Sequence, residues 1–199
     1  MAKKLRREPI YIAPDISGWL DESYVPNAFD ERTNEPLDPT NPYHKIFIYE
    51  RQVFDWFLNP AKKLVTYKNK NKGFIALMIC LSYIEGVEQY RKGESSDGQS
   101  RAFFIASMQR LYPGKFHDRD LRQLYSEARC GLFHTGMVRG KIIISYRYTE
   151  SLSINHDNIK INPRIFLDEI ITDFNGYIQE LKTSEPSRTR FSNLYSNVQ

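Results

Sequence analysis

An arginine and a histidine five residues apart, Arg129 and His134, are the side chains of this 199-residue chain most readily put to chemical use. They stand in the stretch Leu124-Tyr-Ser-Glu-Ala-Arg129-Cys-Gly-Leu-Phe-His134-Thr-Gly. A histidine exchanges protons near neutrality and serves as general acid or base. An arginine offers a planar fork of donors that matches a phosphate. Together they suit chemistry on a phosphodiester. In a straight helix, residues five apart sit about 140° apart around the axis, from roughly 100° per residue. The pair shares a cleft only where the helix ends or distorts near Gly131, or where a second copy packs alongside. A glycine there costs about 1 kcal/mol relative to alanine, which points to close packing against another backbone. The plainer reading is two basic residues complementing the dipole at a helix C-terminus.

Other chemistries fare worse. The histidines, His44, His117, His134 and His156, are scattered, and Cys80 and Cys130 lack zinc-site spacing, so no metal is expected. There is no Walker loop, no glycine fingerprint after a strand, and no local signature of a serine nucleophile, so no cofactor is expected. Asp118 and Asp120 diverge on a helix and read as first-turn charges. Cys130 beside His134 suggests a nucleophile only in a polar setting, because apolar surroundings raise a thiol's pKa. Lys68, Lys70 and Lys72, with Arg139 and Lys141 after the motif, are candidates to follow a phosphate backbone. Such runs are more often solvated loops.

The elements that must position these residues follow from apolar spacing. Residues 1 to 42 carry Pro9, Pro14, Pro26, Pro36, Pro39 and Pro42 and no apolar period, which predicts an extended arm. Its Tyr11, Ile12, Ile16, Trp19, Tyr24 and Phe29 are too apolar for a free tail, so the arm should lie on the domain or on a partner subunit. Residues 43 to 58 read as an amphipathic helix stopped by Asn59-Pro60. Residues 74 to 91 are apolar on several faces and predict a buried central helix, with Glu85 and Glu88 as polar exceptions. Residues 99 to 112 and 118 to 135 read as two further helices, the second stopped at Gly136.

After these, residues 141 to 162 predict a small antiparallel hairpin or three-stranded meander, turning at Asn155-His-Asp-Asn158. Pro163 opens a last helix to about residue 182, and residues 184 to 199 read as a mobile tail. The predicted class is mainly α: a helical bundle over residues 43 to 183 with a β insertion before its last helix.

Composition sets outer bounds. Hydrophobic residues at 41% and charged residues at 26% suit one globular domain. A formal charge of +4 is too small to argue for nucleic acid without a local patch. Two cysteines make no disulfide framework. The longest apolar run, Phe74 to Leu81, is far short of the roughly 20 residues that span a bilayer. The N-terminal segment lacks a signal-peptide core. A cytoplasmic protein that does not enter membranes is expected.

The Arg129–His134 segment resembles the Arg-x4-6-His motif of the HEPN superfamily. The order of helices, short β insertion and final helix is similar to bacterial members with Arg-Cys-Gly-Leu-hydrophobic-His followed by Gly. The resemblance covers residues 43 to 182. It implies metal-independent RNA cleavage by a homodimer that joins two Arg129–His134 sets in one cleft, with His134 as general acid or base and Arg129 on the scissile phosphate. It implies toxin or phage-defence roles, with a cognate antitoxin or partner subunit. Glu85 stands in a position similar to an acidic residue of some members, where it would orient Arg129 or His134; otherwise it is a solvated helix-end carboxylate. Tyr125, one turn before Arg129, would hold the arginine or stack on a base; otherwise it is a core tyrosine. Cys130 departs from the polar residue that usually follows the arginine, and a thiol is the weaker hydrogen-bond partner. Two further readings stay open: a non-catalytic HEPN-like module binding nucleotide, RNA or protein, and a structural helical assembly protein whose arm drapes over a neighbour.

Overall fold

A computed structural model describes residues 5–66 and 72–198. In chain order the elements are β1 (Ile10–Ala13), β2 (Ile16–Leu20), β3 (Pro26–Asp30), β4 (Glu35–Leu37), α1 (Pro42–Val53), α2 (Asn59–Thr66), α3 (Gly73–Lys92), α4 (Ser100–Leu111), α5 (Asp118–Leu124), α6 (Gly131–Thr135), β5 (Ile142–Ile144), β6 (Leu152–Ile154), β7 (Ile159–Ile161), α7 (Pro163–Thr183) and α8 (Glu185–Val198). Turns of π-helix, Phe54–Leu58 and Tyr125–Cys130, join α1 to α2 and α5 to α6. The fold is therefore predominantly helical, with two small sheets rather than the one predicted. The chain divides into two compact units, residues 1–59, 90–93 and 176–199, and residues 60–89 and 94–175.

In the first unit, β1 to β4 form an antiparallel meander in sequence order. The expected extended arm is thus a sheet. Its prolines fall where a ladder tolerates them: Pro26 begins β3, and Pro36 lies on the edge strand β4. Asp15, Tyr24 and Asn34 take positive φ at the reversals. Ala13, Ile16, Ala28 and Ile48 form the core, with Ile12, Leu37 and Phe47 against it, so the sheet's apolar residues are covered by α1. Asp30 is fully buried, and its carboxylate accepts from Arg51 at 3.0 Å and from the Arg32 backbone N–H at 3.0 Å.

Two other expectations change. The helix does not stop at Asn59-Pro60; the π turn lets it continue, since Pro60 falls in the first turn of α2, where a missing N–H costs little. Residues 185–198 are helical rather than a tail. Phe191, Leu194 and Tyr195 bury one stripe of α8. Phe191 packs on Tyr49 at 5.1 Å and stacks on Tyr195 at 5.0 Å, and Tyr90 lies 4.9 Å from Tyr49. Offset and edge contacts of this kind add to the area they bury.

In the second unit, α3 is buried through Leu77, Leu81 and Ile84, as its composition predicts, and Phe104, Met108, Leu121, Leu124, Phe166 and Phe174 are buried as well. Helices α5 and α6 with the intervening π turn occupy residues 118–135, close to the predicted span, and Gly136 closes them at φ 71°. The β insertion has three strands in the order β5-β7-β6. It is mixed rather than antiparallel: β5 runs parallel to β7, and β6 and β7 make the hairpin. Asn155 supports the predicted turn by accepting from the backbone N–H of Asp157 and Asn158. A partly buried polar cluster joins three helices. Arg110 of α4 binds Asp173 of α7 and lies 3.5 Å from Glu88 of α3, while the Tyr83 hydroxyl donates to Asp173 at 2.8 Å. Among the described residues no helix is long and apolar enough to cross a membrane.

Candidate active site

The site is built within the second unit from α3, the loop after it, and the π turn running into α6. The π turn over Tyr125–Cys130 distorts the helix at Arg129, just before Gly131. Such turns widen a helix and recur at functional sites. Here the turn is braced by the chain that returns past it. The Glu127 carbonyl accepts from the Arg139 N–H at 2.9 Å. The Glu127 carboxylate accepts from the Lys141 N–H at 3.0 Å and from Gln123 at 3.1 Å. A Cβ on Gly131 would lie 2.6 Å from the Met137 carbonyl oxygen and 3.3 Å from the Arg139 nitrogen. Only glycine permits this approach, and the packed backbone belongs to the chain's own returning loop. The Thr135 hydroxyl donates to the Gly131 carbonyl at 2.8 Å.

Arg129 points from this turn to α3. Its Nη2 donates to Glu85 Oε2 at 2.9 Å, and Ser96 from the following loop donates to Glu85 Oε1 at 3.0 Å. Glu85 is thus 9% exposed and held at both oxygens, not a solvated helix-end carboxylate. Ser96 is itself fixed by Gln89, whose side-chain oxygen accepts the Ser96 N–H at 3.0 Å. The guanidinium lies 4.9 Å from the Phe133 ring and 5.6 Å from the Tyr125 ring, cation–π distances in both cases. Tyr125, Arg129 and Phe133 recur at steps of four along one side of the helix. The Tyr125 ring also meets Phe104 at 5.3 Å.

Burial pushes the Tyr125 phenol above its ordinary range, against the pull of Arg129 beside it; the hydrogen-bonded Cys130 thiol and Glu85 add to the rise. Tyr125 therefore stays a neutral donor. Cys130 is half-buried and engaged with that phenol, while Cys80 is fully buried and its thiol is pushed far up by desolvation. A thiol so raised is a poor nucleophile.

Of the residues singled out from sequence, Arg129, Glu85 and Tyr125 meet in one cluster. His134 is exposed, two residues before the helix stop, and no hydrogen bond or ion pair joins it to Arg129 among the described residues. Arg139 is exposed. The Lys141 ammonium is engaged by the His156 carbonyl at 2.7 Å. Lys72 precedes α3, whereas Lys68 and Lys70 lie outside the described residues. Sequence reasoning missed Ser96, Phe133 and Glu127. Phe133 had a signal, its four-residue step from Arg129. Ser96 had none, because the link to Glu85 exists only once the loop after α3 folds back.

The cluster holds the Arg129 guanidinium in a fixed orientation, and His134 is exposed on the helical segment that follows. Among the described residues no group of three or more His, Cys, Asp or Glu side chains is placed to hold a metal ion. No family model, no curated protein and no solved structure matches the chain.

Proposed function

We propose that the chain is a HEPN-like endoribonuclease that cleaves RNA without a metal, with two copies pooling their Arg129–His134 sets. The observation that carries this reading is the Ser96–Glu85–Arg129 chain of contacts at a π turn. It holds the Arg129 guanidinium on the same helical segment that carries the exposed His134. His134 of one copy takes the proton of a ribose 2′-hydroxyl, and the 2′-oxygen attacks phosphorus. The 5′-oxygen leaves with a proton from the second copy's imidazolium. Arg129 stabilises the charge growing on the phosphoryl oxygens. The products are a 2′,3′-cyclic phosphate and a 5′-hydroxyl. DNA is spared because it lacks the nucleophile. A toxin or phage-defence role, held in check by an antitoxin or partner subunit, fits such an activity.

The test is incubation of purified protein with structured RNA in chelator. Cleavage leaving cyclic-phosphate ends is expected, and His134→Ala should lower its rate at least about 100-fold. Equal rates in His134→Ala and the parent would remove the mechanism.

A second reading has one observation in its favour. The Arg129 guanidinium already carries a carboxylate and two aromatic neighbours, which suits a non-catalytic module that binds RNA, a nucleotide or a protein. RNA binding with no cleavage at any enzyme concentration selects this reading.

A further inference from the structure

We infer that Phe133 is a base-stacking platform, and that the RNA taken by this site is therefore single-stranded beside Arg129. The inference rests on the RNA reading above and adds the substrate's form. Phe133 is 41% exposed, although it sits on a helix whose next residue inward, Leu132, is buried. Its ring is not loose. The Arg129 guanidinium lies 4.9 Å from it, and that guanidinium is fixed in turn by Glu85 and Ser96. The backbone beneath is held by the Gly131 approach to Met137. A ring held in this way loses little freedom when a base stacks on it, which is what makes a platform effective.

The surroundings favour a nucleotide over a protein partner. His134 adjoins the ring in sequence, Arg139 is exposed, and Arg129 lies against the ring. Aromatic residues and arginine are enriched at protein interfaces as well, but an aromatic ring accompanied by further basic side chains is the usual arrangement for unpaired nucleic acid. A base on Phe133 leaves its phosphate within reach of the guanidinium donors that Glu85 does not use. A base locked in a duplex has no free face to offer, so pairing excludes it.

The experiment uses the full chain carrying His134→Ala, so that substrate survives. Its affinity is measured for a 12-nucleotide RNA with a central 2-aminopurine and for the matching blunt duplex, in chelator. Phe133→Leu keeps an apolar side chain of similar size and removes the ring; Phe133→Tyr keeps the ring. Stacking predicts that Phe133→Leu weakens single-strand binding about tenfold and abolishes quenching of the 2-aminopurine, while Phe133→Tyr stays within about twofold of the parent and duplex binding is unchanged. Equal single-strand affinity in Phe133→Leu overturns the inference. So does an equal loss on duplex, or dissociation of an oligomer with RNA affinity intact, which would make Phe133 a protein contact. The two readings fail separately. Ring-dependent binding in a chain that never cleaves RNA leaves the platform and removes the nuclease. Cleavage that ignores Phe133→Leu and strandedness does the reverse.

Discussion

Glu85 on α3 and Arg129 in the π turn, 44 residues apart in sequence, meet in an ion pair of 2.9 Å with both side chains mostly buried. Such a pair stabilises less than its contact suggests, because both charges give up water. Breaking it from one side is costly, because the remaining charge is left without a partner. Glu85→Ala should cost about 2 kcal/mol, below the range for fully buried pairs because Arg129 retains some exposure. Glu85→Gln keeps an acceptor for Ser96 and should cost about 1 kcal/mol. Urea unfolding measures both, and a double-mutant cycle with Arg129→Ala should return a coupling of about 1 kcal/mol. Additive single losses would mean the pair is incidental.

Two helical glycines should respond in opposite directions. At Gly131 an added methyl meets the Met137 carbonyl, so Gly131→Ala should destabilise by about 1–3 kcal/mol and displace the returning loop. At Gly86, inside α3, a Cβ meets nothing within 4 Å, so Gly86→Ala should stabilise by about 0.5–1 kcal/mol. Thermal unfolding of the two variants side by side settles the sign of each.

Glu127 ties the turn to the strand that follows. Its carboxylate accepts the Lys141 backbone N–H. Glu127→Ala should speed hydrogen exchange at Lys141 and its neighbours, while Glu127→Gln, which keeps an acceptor, should leave exchange near the parent rate. Exchange at residues 100–111 should be unaffected in both. Uniformly faster exchange across the chain would point instead to global destabilisation.

Buried phenols set an alkaline limit. Tyr177 is fully buried, and burial raises its pKa above the ordinary value of 10.0. The folded state then holds a proton that the unfolded chain releases above pH 10. Stability is fully present below that pH and falls as pH rises further, by about 1.4 kcal/mol per pH unit for each such group. Tyr177→Phe removes this term. Its unfolding midpoint should therefore decline less than the parent's between pH 10 and pH 11, with no such difference between pH 7 and pH 9. Parallel declines would show that Tyr177 ionises without unfolding.

The sequence by itself determined α3, α4, the α5–α6 stretch and α7, the stop at Gly136 and the candidate pair. Those signals are local: apolar residues at helical steps, a glycine where φ is positive, an arginine and a histidine at fixed spacing. It also implied, through Gly131, a close backbone approach. The tertiary structure decided the rest. Four strands of three to five residues each were too short to show alternation, so residues 10–37 became a sheet only through pairing and through cover from α1. The stripe of Phe191, Leu194 and Tyr195 gained its helix from aromatic partners on α1 and α3. Glu85 was written as a polar residue near a helix end; its burial depends on Ser96 and Arg129, 11 and 44 residues away. Periodicity reports which face of an element is apolar. It carries no information about which distant polar group will arrive to satisfy a buried charge, and that arrival is what turns Arg129 from a basic residue at a helix end into a guanidinium held in place by Glu85.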